Sequence, residues 1–135
     1  MTNLEDNKAV VRRFIEAIFG HQDLEAVDEL AVEDFTPHTW GPTPPGRAAL
    51  REAMNRVGAG VSDARFEIHD TIAEGDRVAV RLTSSALHSG TFMGMPPTGK
   101  RYSIDEIHIF RLRAGQVTEH WHAFDTATLI AQLKP

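Results

Sequence analysis

The sequence predicts an α+β fold, with helices from its first half packed on one face of an antiparallel sheet built from its second half. Three observations carry this. Apolar residues recur at helical spacing up to about residue 60, and from Ala64 onward the period changes to two. Helical and strand patterns do not alternate as βαβ units, so no parallel doubly wound sheet is expected. The 135 residues are the length of one domain, 1–135, and with 41% hydrophobic and 24% charged residues the chain has the composition of a protein with a core.

The first helix is expected from Leu4 to Phe19, where Val10, Val11, Phe14, Ile15, Ile18 and Phe19 form one stripe that Gly20 ends. Asp23 can cap a short second helix carrying Leu24, Val27 and Leu30. The segment Asp34-Phe35-Thr36-Pro37-His38 then leaves helical structure, and Gly41, Pro42, Pro44, Pro45 and Gly46 make a rigid loop. A third helix carries Leu50, Met54 and Val57, closed by Gly58 and Gly60. Ala64, Phe66 and Ile68 alternate with polar neighbours, as do Val78, Val80 and Leu82, and Glu74-Gly75-Asp76 joins the two runs as a hairpin. A third strand is expected within Ser84 to Phe92. The loop containing Gly94, Pro96, Pro97 and Gly99 is too Pro-rich for a central strand. Two long strands follow, Tyr102 to Leu112 and Gln116 to Phe124, and a helix from Thr126 to Leu133 completes the order.

Composition excludes several functions. Fourteen Lys and Arg against nineteen Asp and Glu give a net charge of −5 without a basic run, so a nucleic-acid partner is not expected. With no Cys there is no disulfide framework, thiolate nucleophile or Cys-ligated metal, and the expected location is the cytoplasm. The acidic, polar Met1 to Lys8 segment does not read as a signal peptide, and no stretch approaches membrane-spanning length.

The loop Gly90-Thr91-Phe92-Met93-Gly94-Met95-Pro96-Pro97-Thr98-Gly99-Lys100, then Arg111, Gly115, Glu119-His120-Trp121, Asp125, Leu129 and Gln132-Leu133, resembles the pattern of SnoaL-like polyketide cyclases, from the first helix to the C-terminus. That resemblance implies the NTF2-like cone, a curved sheet and N-terminal helices enclosing a pocket, and it implies a homodimer or higher homo-oligomer. It also implies an intramolecular aldol closure run by acid/base chemistry without a cofactor, on a small apolar carbonyl compound. In the family, a strand carrying a polar residue and a His two positions apart faces an Asp acid/base group on the next strand. Glu106 and His108 match the first pair, but the Asp position is occupied by His122.

The register of the last two strands decides which side chains meet there. Ala114 resists the positive φ of a two-residue primed turn, so a three-residue loop ending with Gly115 in the left-handed region is expected. Leu112 then pairs with Gln116, His108 lies opposite His120, and Glu106 lies opposite His122. All four titratable groups share one face, while Val117, Glu119 and Trp121 turn to the other, where Val117 and Trp121 offer an apolar surface for dimerisation. Imidazoles suit proton transfer near neutral pH, so Glu106, His108, His120 and His122 are the candidate catalytic residues. They also read as solvated or hydrogen-bonded structural groups. His38, Trp40, His88, Phe92 and Phe124 are candidate substrate contacts; for the two histidines simple exposure, and for the aromatics ordinary core packing, are equally open. Lys100 follows Gly99 without the spacing of a phosphate-binding loop, and Asp125 reads as a helix cap. Two other functions stay in view. One is a non-enzymatic small-molecule binder. The other is a metal enzyme using His120-x-His122 with His108 and Glu106, although no metal is assigned.

Overall fold

Asn3 opens the first helix, its side-chain oxygen accepting the backbone N–H groups of Glu5 and Asp6 at 2.9 and 3.3 Å. In the computed structural model, which describes residues 3–134, this helix (α1) spans Leu4–Phe14. Met1 and Thr2 of the acidic N-terminal segment, and Pro135, lie outside the described residues. The expected apolar stripe continues beyond α1 as a widened π-helical turn, Ile15–Gly20, closed by the His21 N–H to Glu16 carbonyl bond at 3.0 Å. Asp23 caps a 3₁₀ turn, Leu24–Ala26, leading into α2, Val27–Leu30. The later helices are α3, Arg47–Gly60, and α4, Thr126–Leu133, the latter capped by Asp125 as expected.

Five strands make one sheet. They are β1 (Ala31–Pro37), β2 (Val61–Glu74), β3 (Arg77–His88), β4 (Arg101–Arg113) and β5 (Gln116–Phe124), in the order β1-β5-β4-β3-β2. The sheet is antiparallel except at β1, which runs parallel to β5. That strand was not anticipated: its segment is short and ends at a Pro, and it gains its pairing from a strand some 85 residues later, which local pattern cannot show. The separate strand expected within Ser84 to Phe92 does not form. Ser84 to His88 extends β3, and Phe92 makes only an isolated bridge to Met95.

The turn between β4 and β5 also differs from expectation. It has two residues, Ala114 and Gly115, at φ of 51° and 81°, the pair of positive values that a type I′ turn requires. Arg113 pairs with Gln116 and Leu112 with Val117; the register then shifts, so that Arg111 pairs with Glu119 and Thr118 is the extra residue of a bulge. His108 therefore faces His122, Phe110 faces His120, and Glu106 faces Phe124. The expected partners are wrong by two positions, yet an even shift preserves sidedness, so Glu106, His108, His120 and His122 still share one face. On the turn side of the bulge the parity is reversed. Val117 accordingly points inward and is fully buried, whereas Trp121 stays on the outer face, flanked by His38 and Arg77.

Two apolar clusters fill the space between sheet and helices. The larger brings Phe14, Phe35 and Phe110 together with Val80, Leu82 and Val117, and Phe14 meets its aromatic neighbours edge to face. The smaller joins Tyr102 and Ile104 of β4 to Leu129 and Leu133 of α4. At its end, α3 presses on the 89–92 segment so closely that a Cβ on Gly90 would lie 1.9 Å from the Ala59 carbonyl oxygen. That contact fixes where Phe92 sits relative to α3.

Candidate functional site

Between the two clusters lies an open cavity of about 640 Å³, bounded by α3, by the 91–93 segment, and by the inward faces of β4 and β5. Its walls are mainly apolar, including Met54, Phe66, Phe92, Ile104 and Leu129. Its polar groups gather on β4 and β5: Glu106, His108, His120 and His122 all line it. Alternation along two adjacent strands, restored by the Thr118 bulge, brings them together.

Glu106, His108 and His120 form a continuous chain with Trp40. Glu106 Oε1 lies 2.7 Å from His108 Nε2, and His108 Nδ1 lies 2.8 Å from His120 Nε2. The Trp40 indole N–H donates to His120 Nδ1 at 3.1 Å. His108 and His120 are buried, so these bonds replace water that neither ring reaches. Every ring nitrogen of His108 and His120 is thereby engaged within the protein. Burial above all pushes the His120 imidazole well below the usual 6.5. Burial drives the Glu106 carboxyl up, but the hydrogen bonds from the His108 N–H and the Ser84 hydroxyl hold it below its ordinary value.

His122 is placed differently. It is half-buried, stacked between His108 and Phe124 with ring centroids 5.3 and 5.6 Å away. Thr39 holds it twice: the hydroxyl oxygen accepts the His122 backbone N–H at 3.0 Å and lies 2.7 Å from Nδ1. Nε2 has no partner among the described residues. Burial and the neighbouring His108 lower its pKa from 6.5, with Glu106 opposing them.

The remaining candidates divide. Trp40, Phe92 and Phe124 line the cavity. His38 does not: its Nε2 lies 2.7 Å from Glu119 and its ring stacks on Trp121, both on the outer face. His88 is fully buried and outside the lining, its Nδ1 3.0 Å from the Thr98 hydroxyl and its Nε2 3.3 Å from the Met95 carbonyl, so it braces the 89–99 loop. Thr39 and Arg56 were missed. Arg56, exposed at the cavity mouth, is the one cation of the lining, and Thr39 meets a strand more than 80 residues away. The four-ligand metal set does not converge either, because His108 and His120 bond to each other. Among the described residues no group of three His, Cys, Asp or Glu is arranged to hold a metal ion.

Comparisons with known proteins agree with this architecture. The family model described as SnoaL-like polyketide cyclase matches residues 9–133. An aklanonic acid methyl ester cyclase, DnrD of Streptomyces peucetius, is 27% identical over 114 residues, covering 82% of this chain and 79% of the relative. Among solved structures, TsrD from Streptomyces laurentii superposes with a TM-score of 0.89 at 25% identity, over 98% of each chain. IdmH from Streptomyces antibioticus gives a TM-score of 0.81 at 31% identity, over 94% of this chain and 97% of the other.

Proposed function

The chain belongs to the SnoaL-like polyketide cyclase family, and from that premise we propose that it catalyses a cofactor-free aldol-type ring closure or isomerisation of a small apolar carbonyl compound, with His122 as the acid/base group. One observation carries the reading. Of the three imidazoles lining the cavity, His122 alone keeps a ring nitrogen that no described residue uses. Because its pKa is lowered, that nitrogen holds a free lone pair at neutral pH. The Thr39 hydroxyl has a second lone pair for an Nδ1 proton, which leaves Nε2 bare for the substrate.

In the proposed reaction Nε2 removes a proton α to one carbonyl, giving an enolate. The enolate carbon bonds to a second carbonyl carbon of the same molecule, and the resulting alkoxide takes the proton back from His122. Atoms and electrons balance without an oxidant or cofactor. Between the two proton transfers His122 is an imidazolium, and the nearby Glu106 carboxylate favours that form. His108, with both nitrogens engaged, assists through Glu106 and not by touching the substrate. The apolar walls, with Trp40, Phe92 and Phe124, suit an aromatic or polyketide-derived skeleton, and Arg56 supplies a donor for an oxygen at the mouth.

The test is turnover of polyketide carbonyl compounds by wild type and by His122→Gln. The variant keeps an amide in place of the ring and should lose about 10²–10⁴-fold in kcat. Full activity in the variant would reduce His122 to a wall of the cavity, and tight binding of apolar ligands with no turnover would favour a binder.

The assembly proposed is a homodimer through the outer sheet face, where Ile107 and Ile109 are 47% and 38% exposed and Ile109 pairs with Trp121. Val117, buried inside, plays no part in it. Light scattering at micromolar concentration should give twice the chain mass, with monomer in Ile109→Asp; a wild-type monomer would refute it. The Cys-free chain suits the reducing cytoplasm in which we place it, and among the described residues no helix is long and apolar enough to cross a membrane.

A further inference from the structure

We propose that Trp40 is a positioning residue whose indole N–H sets the direction of the whole Trp40–His120–His108–Glu106 chain, holding both buried imidazoles in the Nε2–H form and leaving His122 as the one cavity imidazole that exchanges a proton. The inference rests on hydrogen-bond geometry and goes beyond the acid/base reading of His122, which it needs only for its consequence.

An indole nitrogen donates and never accepts. His120 Nδ1, 3.1 Å from Trp40 Nε1, must therefore present its lone pair, and the ring proton of His120 sits on Nε2. That proton points at His108 Nδ1, 2.8 Å away, which must then accept. The ring proton of His108 is left on Nε2, where it donates to Glu106 Oε1 at 2.7 Å, and the carboxylate ends the chain as a pure acceptor. Reversing any one bond sets two N–H groups against each other at a buried ring. A second proton on His120 meets the same obstacle, since it would face the indole N–H.

Trp40 does not owe its position to this chain alone. Its loop is pinned by the His38 N–H to His120 carbonyl bond at 2.9 Å and by the Thr43 hydroxyl donating to the Trp40 carbonyl at 2.8 Å. Its ring meets Phe35 edge to face, centroids 5.7 Å apart. The donor is thus fixed by packing before the histidines are oriented. The other titratable and charged groups around the chain are His122 on β5, Tyr102 on β4, whose phenol is pushed up to about 12, His38 behind the strand, and Arg56 at the mouth. The consequence for catalysis is confinement. With every ring nitrogen of His108 and His120 already bonded, a proton taken by His122 has no free lone pair to move to on either ring, and it stays on His122 to be returned.

Nitrogen-15 NMR of the unliganded wild-type chain tests this without a substrate. Long-range proton–nitrogen correlations near neutral pH should show His108 and His120 as Nε2–H tautomers; the His120 pattern should not change between about pH 5 and 8, while His122 moves toward its protonated form as the pH falls. A through-bond nitrogen–nitrogen coupling should join Trp40 Nε1 to His120 Nδ1. In Trp40→Phe, which keeps an aromatic ring and removes the donor, His120 should show a mixture of tautomers or begin to titrate in that range. A wild-type His120 with its proton on Nδ1, or an unchanged tautomer in Trp40→Phe, overturns the proposal. If the variant does not fold, the wild-type tautomers and coupling decide it. Loss of turnover in His122→Gln bears on the acid/base reading alone, so the two ideas fail separately.

Discussion

Lowering the pH from neutrality to about 5 should destabilise the protein through His120, and the size of that contribution follows from its surroundings. The residue is 1% exposed, both of its nitrogens are occupied, and burial depresses its pKa well below 6.5. In the unfolded chain the same imidazole takes up a proton near 6.5. Between the depressed native value and 6.5 the unfolded state binds more protons, so this stability is present above about 6.5 and is lost as the pH falls below it. If native His120 stays unprotonated at about pH 5, the unfolded state gains about 2 kcal/mol. His122, also depressed, adds in the same direction. The carboxyl groups held low, Glu106 and Glu119 among them, lose their contribution only as the pH falls into and below the carboxylate range, outside this window. Urea unfolding followed by Trp fluorescence at both pH values measures the difference. The comparison is His120→Gln, whose amide can accept from Trp40 and donate to His108. Wild type should lose about 2 kcal/mol more than the variant on acidification; equal losses would refute the assignment of His120 as the acid-sensitive group.

Two further outcomes follow from the same geometry. Gly90→Ala places a methyl 1.9 Å from the Ala59 carbonyl oxygen, backbone that cannot turn aside, and should cost about 1–3 kcal/mol in urea unfolding while loosening the Phe92 wall. Thr39→Val removes the hydroxyl that holds His122 Nδ1 and the His122 backbone N–H, and should lower kcat by about tenfold with little change in KM, since the substrate contacts remain.

Much of this architecture was legible because it rests on local periodicity. The amphipathic stripe of α1 and the period-two strands express side-chain alternation against buried apolar clusters, and the Asp125 cap of α4 is a local signal of one residue. The shared face of Glu106, His108, His120 and His122 was legible for a subtler reason. The expected three-residue loop and the observed two-residue turn with a Thr118 bulge each add one residue beyond a plain two-residue turn, and only the parity of that count decides which side chains point inward. What the alternation rule could not supply was the bulge itself, so Val117 was assigned to the wrong side of the sheet. Ala114 adopts a positive φ despite its Cβ, a local cost that strand pairing on both sides offsets. Contacts between distant segments were illegible altogether. Nothing near Thr39, Trp40 or His38 in the sequence indicates that the first two reach His122 and His120 on the inward face while the third turns to Glu119 on the other. Those three residues follow β1, whose parallel pairing with β5 had no local signature.

The central claim, that His122 is the group exchanging protons with substrate, is tested most directly by the pH dependence of kcat/KM in wild type and in His122→Asp. With a lowered imidazole pKa, wild-type activity should hold through neutrality and fall as the pH drops below 6.5. Placing a carboxylate at the same position should move that acidic limb down toward the carboxylate range, near pH 4, in whatever activity the variant retains. An acidic limb that stays where it was in His122→Asp would mean that another group carries the proton, and the mechanism built on His122 would be wrong.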